Sequence, residues 1–360
     1  MKKGIVWLLV LIMALSVVGC SAPADSGSDN EGSDPAANFK PVTLRMAEQG
    51  PPTGVRAEVV QFFVDEVKTR TDGRVNIDVY WDSTLLEREE MIRGVMTGAA
   101  DMGCTNVAYH PTELHTWGVF NTFLTGPLSL AEQQELKRRV VDEIPAFNSE
   151  LDRWNQQWIF TFSYQPGMIC STTPIEKLED IKGKQFRAPS RWQLAMLQAV
   201  GTIPVSLGWP EVYTALDRGT LDGTFTSVDS YERYSIDEVA PYYLWDESLW
   251  TPQPFIFTIN KDVFNSLLEQ DQEIIMQVAA EAEQKGIDLN DADVERGINS
   301  MIERSNAVIK KMSAEDLEYW ESLPAVQELP DIWAEESEEK GIPGRDIVKR
   351  IREIRAEYMD

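Results

Sequence analysis

One short pattern occurs twice in this chain. EMIRGVMTGAADMG (90–103) and PEVYTALDRGTLDG (210–223) both run Glu, seven residues, Gly, two residues, Asp. Each reads as a helix that stops at a glycine and turns into a strand. Glycine suits that stop because the residue after the last helical turn takes a left-handed backbone. The flanking order repeats too. Ahead of the first copy, VTLRMA (42–47) and VNIDVY (75–80) alternate like half-buried strands. Between them Val59, Val60, Phe63, Val64 and Val67 mark one helical face. Ahead of the second copy, KQFRA (184–188) reads as a strand, 192–200 as a helix and TIPVSL (202–207) as a short strand. Strand, helix, strand, helix, strand, twice over, predicts two α/β lobes built on parallel sheets with right-handed crossovers. The helix of the first copy is expected over 85–97.

A chain of 360 residues can bury two cores, and 43% apolar residues with eleven tryptophans is globular composition. The net charge of -26 argues against nucleic acid and anionic membrane surfaces as partners. It also means that an anionic ligand needs a local cation. After the second module, PQPFIFTINKDVFNSL (252–267) reads as a strand entering a helix. A polar helical stretch follows from 270 to roughly 311, long enough to cross both lobes. The chain has no Gly-rich phosphate loop, no GxSxG and no HExxH. His110 and His115 have no metal-ligand spacing, so neither metal nor cofactor is expected. A surface hydrolase would need a nucleophile–base pair, and none is identifiable. Cys104 and Cys170 sit in apolar runs, compatible with one disulfide or with two buried thiols.

The N-terminus reads as a targeting segment. Lys2 and Lys3 precede an apolar run over 5–18, too short to span a membrane comfortably. VVGC (17–20) resembles the lipobox of bacterial lipoproteins. That resemblance implies a signal peptide over 1–19, cleavage before Cys20 and lipid attached to Cys20. The Ser/Gly/Asp/Pro stretch that follows makes 20–39 a lipidated cysteine with a flexible tether. The expected product is exported and lipid-anchored at the cell membrane, on its periplasmic or extracellular face, as a monomer.

In open parallel sheets, ligands bind beyond the carboxyl ends of the strands. Arg187 lies near such an end in the second lobe. Its fork of donors matches a carboxylate, although an acid such as Asp180 would also pair with it. Trp81 and Trp209 occupy equivalent strand-to-helix loops. Gln49 follows the first strand, Tyr109 follows the third, and Thr226 ends the equivalent strand of the second lobe. With Trp192 these residues outline an expected pocket of aromatic walls, a few hydrogen-bonding groups and one cation.

KLEDIKGKQFRAP (177–189) followed by PVSLGWPEVYTALDRGTLDG (204–223) resembles the DctP-like solute-binding proteins of TRAP transporters, over 41 to about 350. TGAADMG and FIFTINKDVFNSL look like the family as well. The resemblance implies a two-lobed fold of the periplasmic-binding-protein type, with crossing strands, a long helix and a ligand cleft between the lobes. It places lobe I at 40–164 plus 254–300 and lobe II at 165–253 plus 301–350. It implies closure around an organic acid and delivery to a permease of small and large membrane subunits, driven by an ion gradient. Arg187 matches the family arginine that pairs with the ligand carboxylate. Feeding a membrane sensor would need the same closed cleft. Two departures stand out. Many relatives continue the Asp-Gly with Gln-Glu-Asn, where this chain has DGTFT and so Thr226. Many also carry a second arginine before Pro174, where QPGMICSTTP has none. Both departures argue against a doubly charged dicarboxylate. With Trp81, Trp192, Trp209 and Tyr109 at hand, the expected ligand is a monocarboxylate with an apolar or aromatic body.

Overall fold

The computed structural model describes residues 40–162, 166–250 and 254–359, so Cys20 and the segment around it lie outside the described residues. Eleven strands are described: β1 (Val42–Glu48), β2 (Val75–Tyr80), β3 (Met102–Asn106), β4 (Gln156–Phe162), β5 (Gly167–Ser171), β6 (Gln185–Arg187), β7 (Ile203–Val205), β8 (Gly223–Ser227), β9 (Tyr242–Trp245), β10 (Phe255–Asn260) and β11 (Val308–Lys311). They form two sheets, ordered β2-β1-β3-β10-β4 and β11-β9-β5-β8-β6-β7. In the first sheet β1 runs parallel to both β2 and β3, and in the second β6 runs parallel to both β7 and β8. The two predicted modules therefore share one topology, with the first strand of each in the middle.

The repeated sequence performs the same local task in both. Gly98 and Gly219 take φ of 75° and 69°, the left-handed region that disfavours a Cβ. Ala99 N donates to the Gly94 carbonyl at 2.8 Å, and Thr220 N to the Ala215 carbonyl at 2.9 Å, so both helices end with the same wrapped turn. The repeated aspartate then ties the unit to the first strand of its own module. Asp101 accepts the Arg45 backbone N–H at 2.8 Å, and Asp222 accepts that of Gln185 at 2.6 Å. The first-copy helix is shorter than expected. A 3-10 turn (Arg88–Glu90) precedes an α-helix of only Met91–Met96. Leu86 is the cause. Its side chain packs so closely on Gly94 that a Cβ there would lie 2.4 Å from it, and the segment folds back onto the helix it was expected to extend.

The chain passes from the first sheet to the second between β4 and β5, and back between β9 and β10. β4 ends the first sheet at Phe162, and the next strand, β5, pairs antiparallel with β8 in the second. β9 lies in the second sheet, and β10 returns to pair antiparallel with β3 and β4. A 37-residue helix, Glu269–Ser305, runs along both halves. At 1.5 Å per residue it is about 55 Å long. Its early part packs against the helix Val55–Arg70 and against β4, and its later part against Val228–Arg233. Charge pairs fix it to both: Arg74 with Asp271 at 2.8 Å, and Arg296 with Glu232 at 2.9 Å. The sequence suggested a helix to about 311. Instead Asn306 turns left-handed at φ 55°, which asparagine tolerates, and the apolar edge at Val308 pairs with β9 as a strand. Val59, Val60, Phe63, Val64 and Val67 are all buried, as the periodicity required. Cys104 and Cys170 are buried free thiols on different sheets. Among the described residues no helix is long and apolar enough to cross a membrane.

Candidate functional site

A cavity of about 70 Å³ opens where the carboxyl ends of β1, β3, β6 and β8 face one another. One water needs roughly 10–15 Å³ on the same measure, so the space suits a compact molecule. Gln49, Tyr109, Arg187, Trp209 and Thr226 all line it. Arg56, Arg88, Asn106, Ser230, Arg233, Tyr234 and Phe255 line it as well, and sequence reasoning singled out none of these.

On the second-lobe wall, Arg187 closes β6 with only 2% of its surface exposed. Its Nε donates to the Leu207 carbonyl at 3.0 Å, and its guanidinium lies 5.0 Å from the centre of the Trp209 ring. Trp209 begins the helix Trp209–Asp217, and its ring meets Tyr234 edge-on at 5.2 Å. The Arg187 carbonyl accepts the Thr224 hydroxyl at 3.0 Å, which pins β6 to β8 at the cavity. Asp180, the acid the sequence offered as an alternative partner, instead accepts the backbone N–H of Glu176 at 2.8 Å. Among the described residues no carboxylate pairs with Arg187. Burial pulls its pKa below the ordinary arginine value, opposed by the Tyr109 and Tyr231 phenols. Arginine nonetheless stays charged. A buried, charged guanidinium with free donors at a cavity wall has the chemistry to receive an anion.

The first-lobe wall is built from β1 and β3. Glu48, fully buried, accepts the Gly50 N–H at 2.8 Å and Arg56 Nη2 at 2.9 Å. Gly50 allows that geometry, because a Cβ there would sit 2.0 Å from Arg56 Nη2. Arg56 also stacks over Phe255 at 4.3 Å. Gln49 is held by donating to the Cys104 carbonyl at 3.2 Å. Asn106 accepts the Ala108 N–H at 2.9 Å, and this capped turn carries Tyr109 to the cavity. Arg233 crosses from the second lobe. Asp229 holds it at 3.2 Å, and it reaches Gly54, whose φ is 81° and where a Cβ would meet Arg233 Nη2 at 3.0 Å.

Trp81 and Trp192 are not brought to this cavity. Trp81 stays in the loop after β2, where its carbonyl accepts the Thr84 hydroxyl at 2.7 Å. Trp192 is buried in the helix Arg191–Ala199, beneath the Arg191 guanidinium at 4.0 Å, and joins the core. It lines a neighbouring space with His115. The single expected cation is in fact four. Arg56, Arg88 and Arg233 looked like ordinary charged positions, because nothing in a one-dimensional pattern says which polar helix residue a second lobe will cover. The two histidines are engaged elsewhere: His110 donates from Nε2 to the Arg88 carbonyl at 2.8 Å, and His115 bonds Ser337 at the same distance. Among the described residues the cavity wall therefore offers charge and hydrogen bonds, and neither histidine lines it. Among the described residues no group of three His, Cys, Asp or Glu is placed to hold a metal.

Two α/β lobes with strand ends facing one another around an arginine-lined cavity define a two-lobed binding-protein architecture. The chain belongs to the bacterial extracellular solute-binding protein family 7, whose model matches residues 46–334. It is 24% identical to the 2,3-diketo-L-gulonate-binding periplasmic protein YiaO of Escherichia coli, over 87% of this chain and 92% of that one. A TRAP periplasmic solute-binding protein from Desulfovibrio salexigens superposes with a TM-score of 0.76 at 25% identity, covering 88% of this chain and 97% of the other. A TRAP solute-binding protein from Rhodoferax ferrireducens, solved with copurified benzoate, superposes at 0.78 with 19% identity, covering 88% and 98%. The family consists of solute-binding proteins, and the two-sheet architecture read from the repeat is the architecture of these structures.

Proposed function

We propose that this protein captures an organic carboxylate outside the cytoplasm and delivers it to a TRAP-type permease of small and large membrane subunits, powered by an ion gradient. The observation that carries the reading is Arg187: 2% exposed, at the end of β6, facing the cavity with no carboxylate partner among the described residues. A buried guanidinium without an acid is costly, and a ligand carboxylate repays that cost. Closing the lobes removes water and strengthens the pair. In this reading the lobes are 40–164 plus 254–300 and 165–253 plus 301–350, and the sheet membership of β4, β5, β10 and β11 supports the division. Lipid on Cys20 would hold the receptor near its permease. Release from membranes of a Cys20→Ser variant tests that point.

The ligand's body is proposed to be polar. The aromatic-bodied acid expected from sequence relied on four residues, of which only Trp209 and Tyr109 reach the cavity. Gln49, Asn106, Thr226, Ser230 and the arginines dominate its wall. The Escherichia coli relative is named for a polyoxygenated acid, in line with such a wall. Trp209 and Phe255 offer flat faces for the carbon skeleton. A thermal-shift screen of carboxylates against neutral sugars tests the reading. Ligand at a hundred times its Kd adds about 2.7 kcal/mol, several degrees in the unfolding midpoint. Stabilisation by acids that disappears in Arg187→Met supports it, and stabilisation by neutral sugars alone overturns it.

A further inference from the structure

A second cavity, of about 220 Å³, lies beside the first and shares only Pro189 with it. Its walls come from the segments 107–121 and 189–206 and from the helix Leu329–Glu339. A dry cavity of about 150 Å³ already accommodates benzene, so one substituted ring fits here. Trp192 and Trp333 supply flat apolar walls, and the His115 ring stacks on Trp333 at 5.4 Å and 13°. Gly118 lines the space too. A Cβ added there would meet nothing within 4 Å, so that part of the wall is open.

Two polar groups on this wall have no hydrogen-bond partner among the described residues. The first is the Asn121 carboxamide, whose Oδ1 is shut off from solvent although the residue is only 2% exposed and lines the cavity. An unmet buried amide is costly. The second is Nδ1 of His115. The Ser337 hydroxyl donates to the Trp333 carbonyl at 2.7 Å, so it accepts from His115 Nε2 at 2.8 Å. Nδ1 of the neutral ring is therefore an acceptor. Burial keeps the ring neutral at neutral pH. The charged group on the wall, Arg191, is held by Glu336 at 2.9 Å, so the cavity presents no unpaired cation to an acid.

We propose that this second cavity binds a neutral, flat cyclic amide. Its ring lies against the two tryptophans, its N–H donates to His115 Nδ1, and its adjacent carbonyl accepts from the Asn121 carboxamide. A hydrocarbon ring would leave both polar groups unmet. The site is separate from the carboxylate site and does not depend on Arg187.

The test is titration calorimetry of the full chain at neutral pH with 2-pyridone, uracil and hypoxanthine. Toluene and benzoate serve as rings that lack the amide or carry a charge. At least one cyclic amide is expected to bind with a Kd of about 1 mM or tighter. Asn121→Leu should weaken it about tenfold or more and leave the unfolding midpoint at or above wild type, because an apolar group of similar volume replaces an unmet amide. Gly118→Leu fills the space and should abolish binding, whereas Arg187→Met should leave it unchanged. The His115 Nδ1 NMR resonance should shift on saturation. Failure of every cyclic amide to bind at millimolar concentration would overturn the proposal, and so would equally tight binding of toluene. Binding lost in Arg187→Met and kept in Gly118→Leu would place the amide in the first cavity and overturn it as well. The carboxylate reading is tested by other ligands, so either can fail alone.

Discussion

Replacing Arg187 by methionine should separate binding from stability, because the same burial acts in opposite directions on the two. Methionine keeps an unbranched apolar stem while removing the charge and the guanidinium that lies over Trp209. With ligand bound, the change leaves a carboxylate in a dry cavity without its cation. Truncating one member of such a pair costs about 2–5 kcal/mol. That corresponds to roughly 30- to 5,000-fold in Kd. Without ligand the balance differs. The variant loses the bond from Nε to the Leu207 carbonyl, at 3.0 Å, worth about 1 kcal/mol. It also sheds a desolvated charge that has no carboxylate partner among the described residues. Exchanging buried ionic groups for apolar ones of similar volume is often neutral or stabilising by about 1–4 kcal/mol. The expected result is an unliganded stability equal to or above wild type, read by urea unfolding, together with a large loss of carboxylate affinity, read by calorimetry. A variant destabilised by more than about 3 kcal/mol, a size typical of breaking a compensated buried pair, would show that Arg187 is a structural residue. Affinity retained within about threefold would show that the ligand does not use it.

Arg56 should behave in the opposite way. Its partner Glu48 is fully buried, so Arg56→Ala strands a carboxylate and is expected to cost about 3–5 kcal/mol of unfolding free energy in urea titrations. Gly98→Ala and Gly219→Ala should cost the same, about 1–2 kcal/mol each, since both positions are left-handed and neither Cβ would meet anything within 4 Å. Unequal losses in paired thermal melts would argue that the two units are not equivalent. His115 gives a pH dependence. Burial, with the charges of Lys340 and Arg191, lowers its pKa to about 4. Unfolded histidine titrates near 6.5, so between pH 6.5 and 4 the unfolded chain binds a proton that the folded one refuses. Stability should be level above that window and fall through it with acid, by up to about 3 kcal/mol. His115→Asn should flatten that part of the stability–pH curve.

The sequence by itself determined the module. Helix stops at Gly98 and Gly219, the strand alternation around them and the buried valine stripe of the first helix are short-range signals, fixed by backbone sterics and by burial of one face. They sufficed for two lobes of one topology and for Arg187 at the end of a strand. A local pattern also misled where a neighbour decided the outcome. Leu86 packing on Gly94 shortened the first-copy helix, and pairing with β9 turned the residues after Asn306 into a strand. The cavity itself was a tertiary decision. Arg56, Arg88 and Arg233 each lie on a polar turn or at a helix end that would read as solvated surface in isolation, and Trp81 and Trp192 carry the aromatic character that a pocket suggests. Which of them faces the cavity depends on how two sheets, between which the chain crosses repeatedly, bring their carboxyl ends together. That apposition joins residues more than a hundred positions apart, and its electrostatic result, two arginines paired with Glu48 and Asp229 and two with no carboxylate partner among the described residues, arises only when those partners are placed in space.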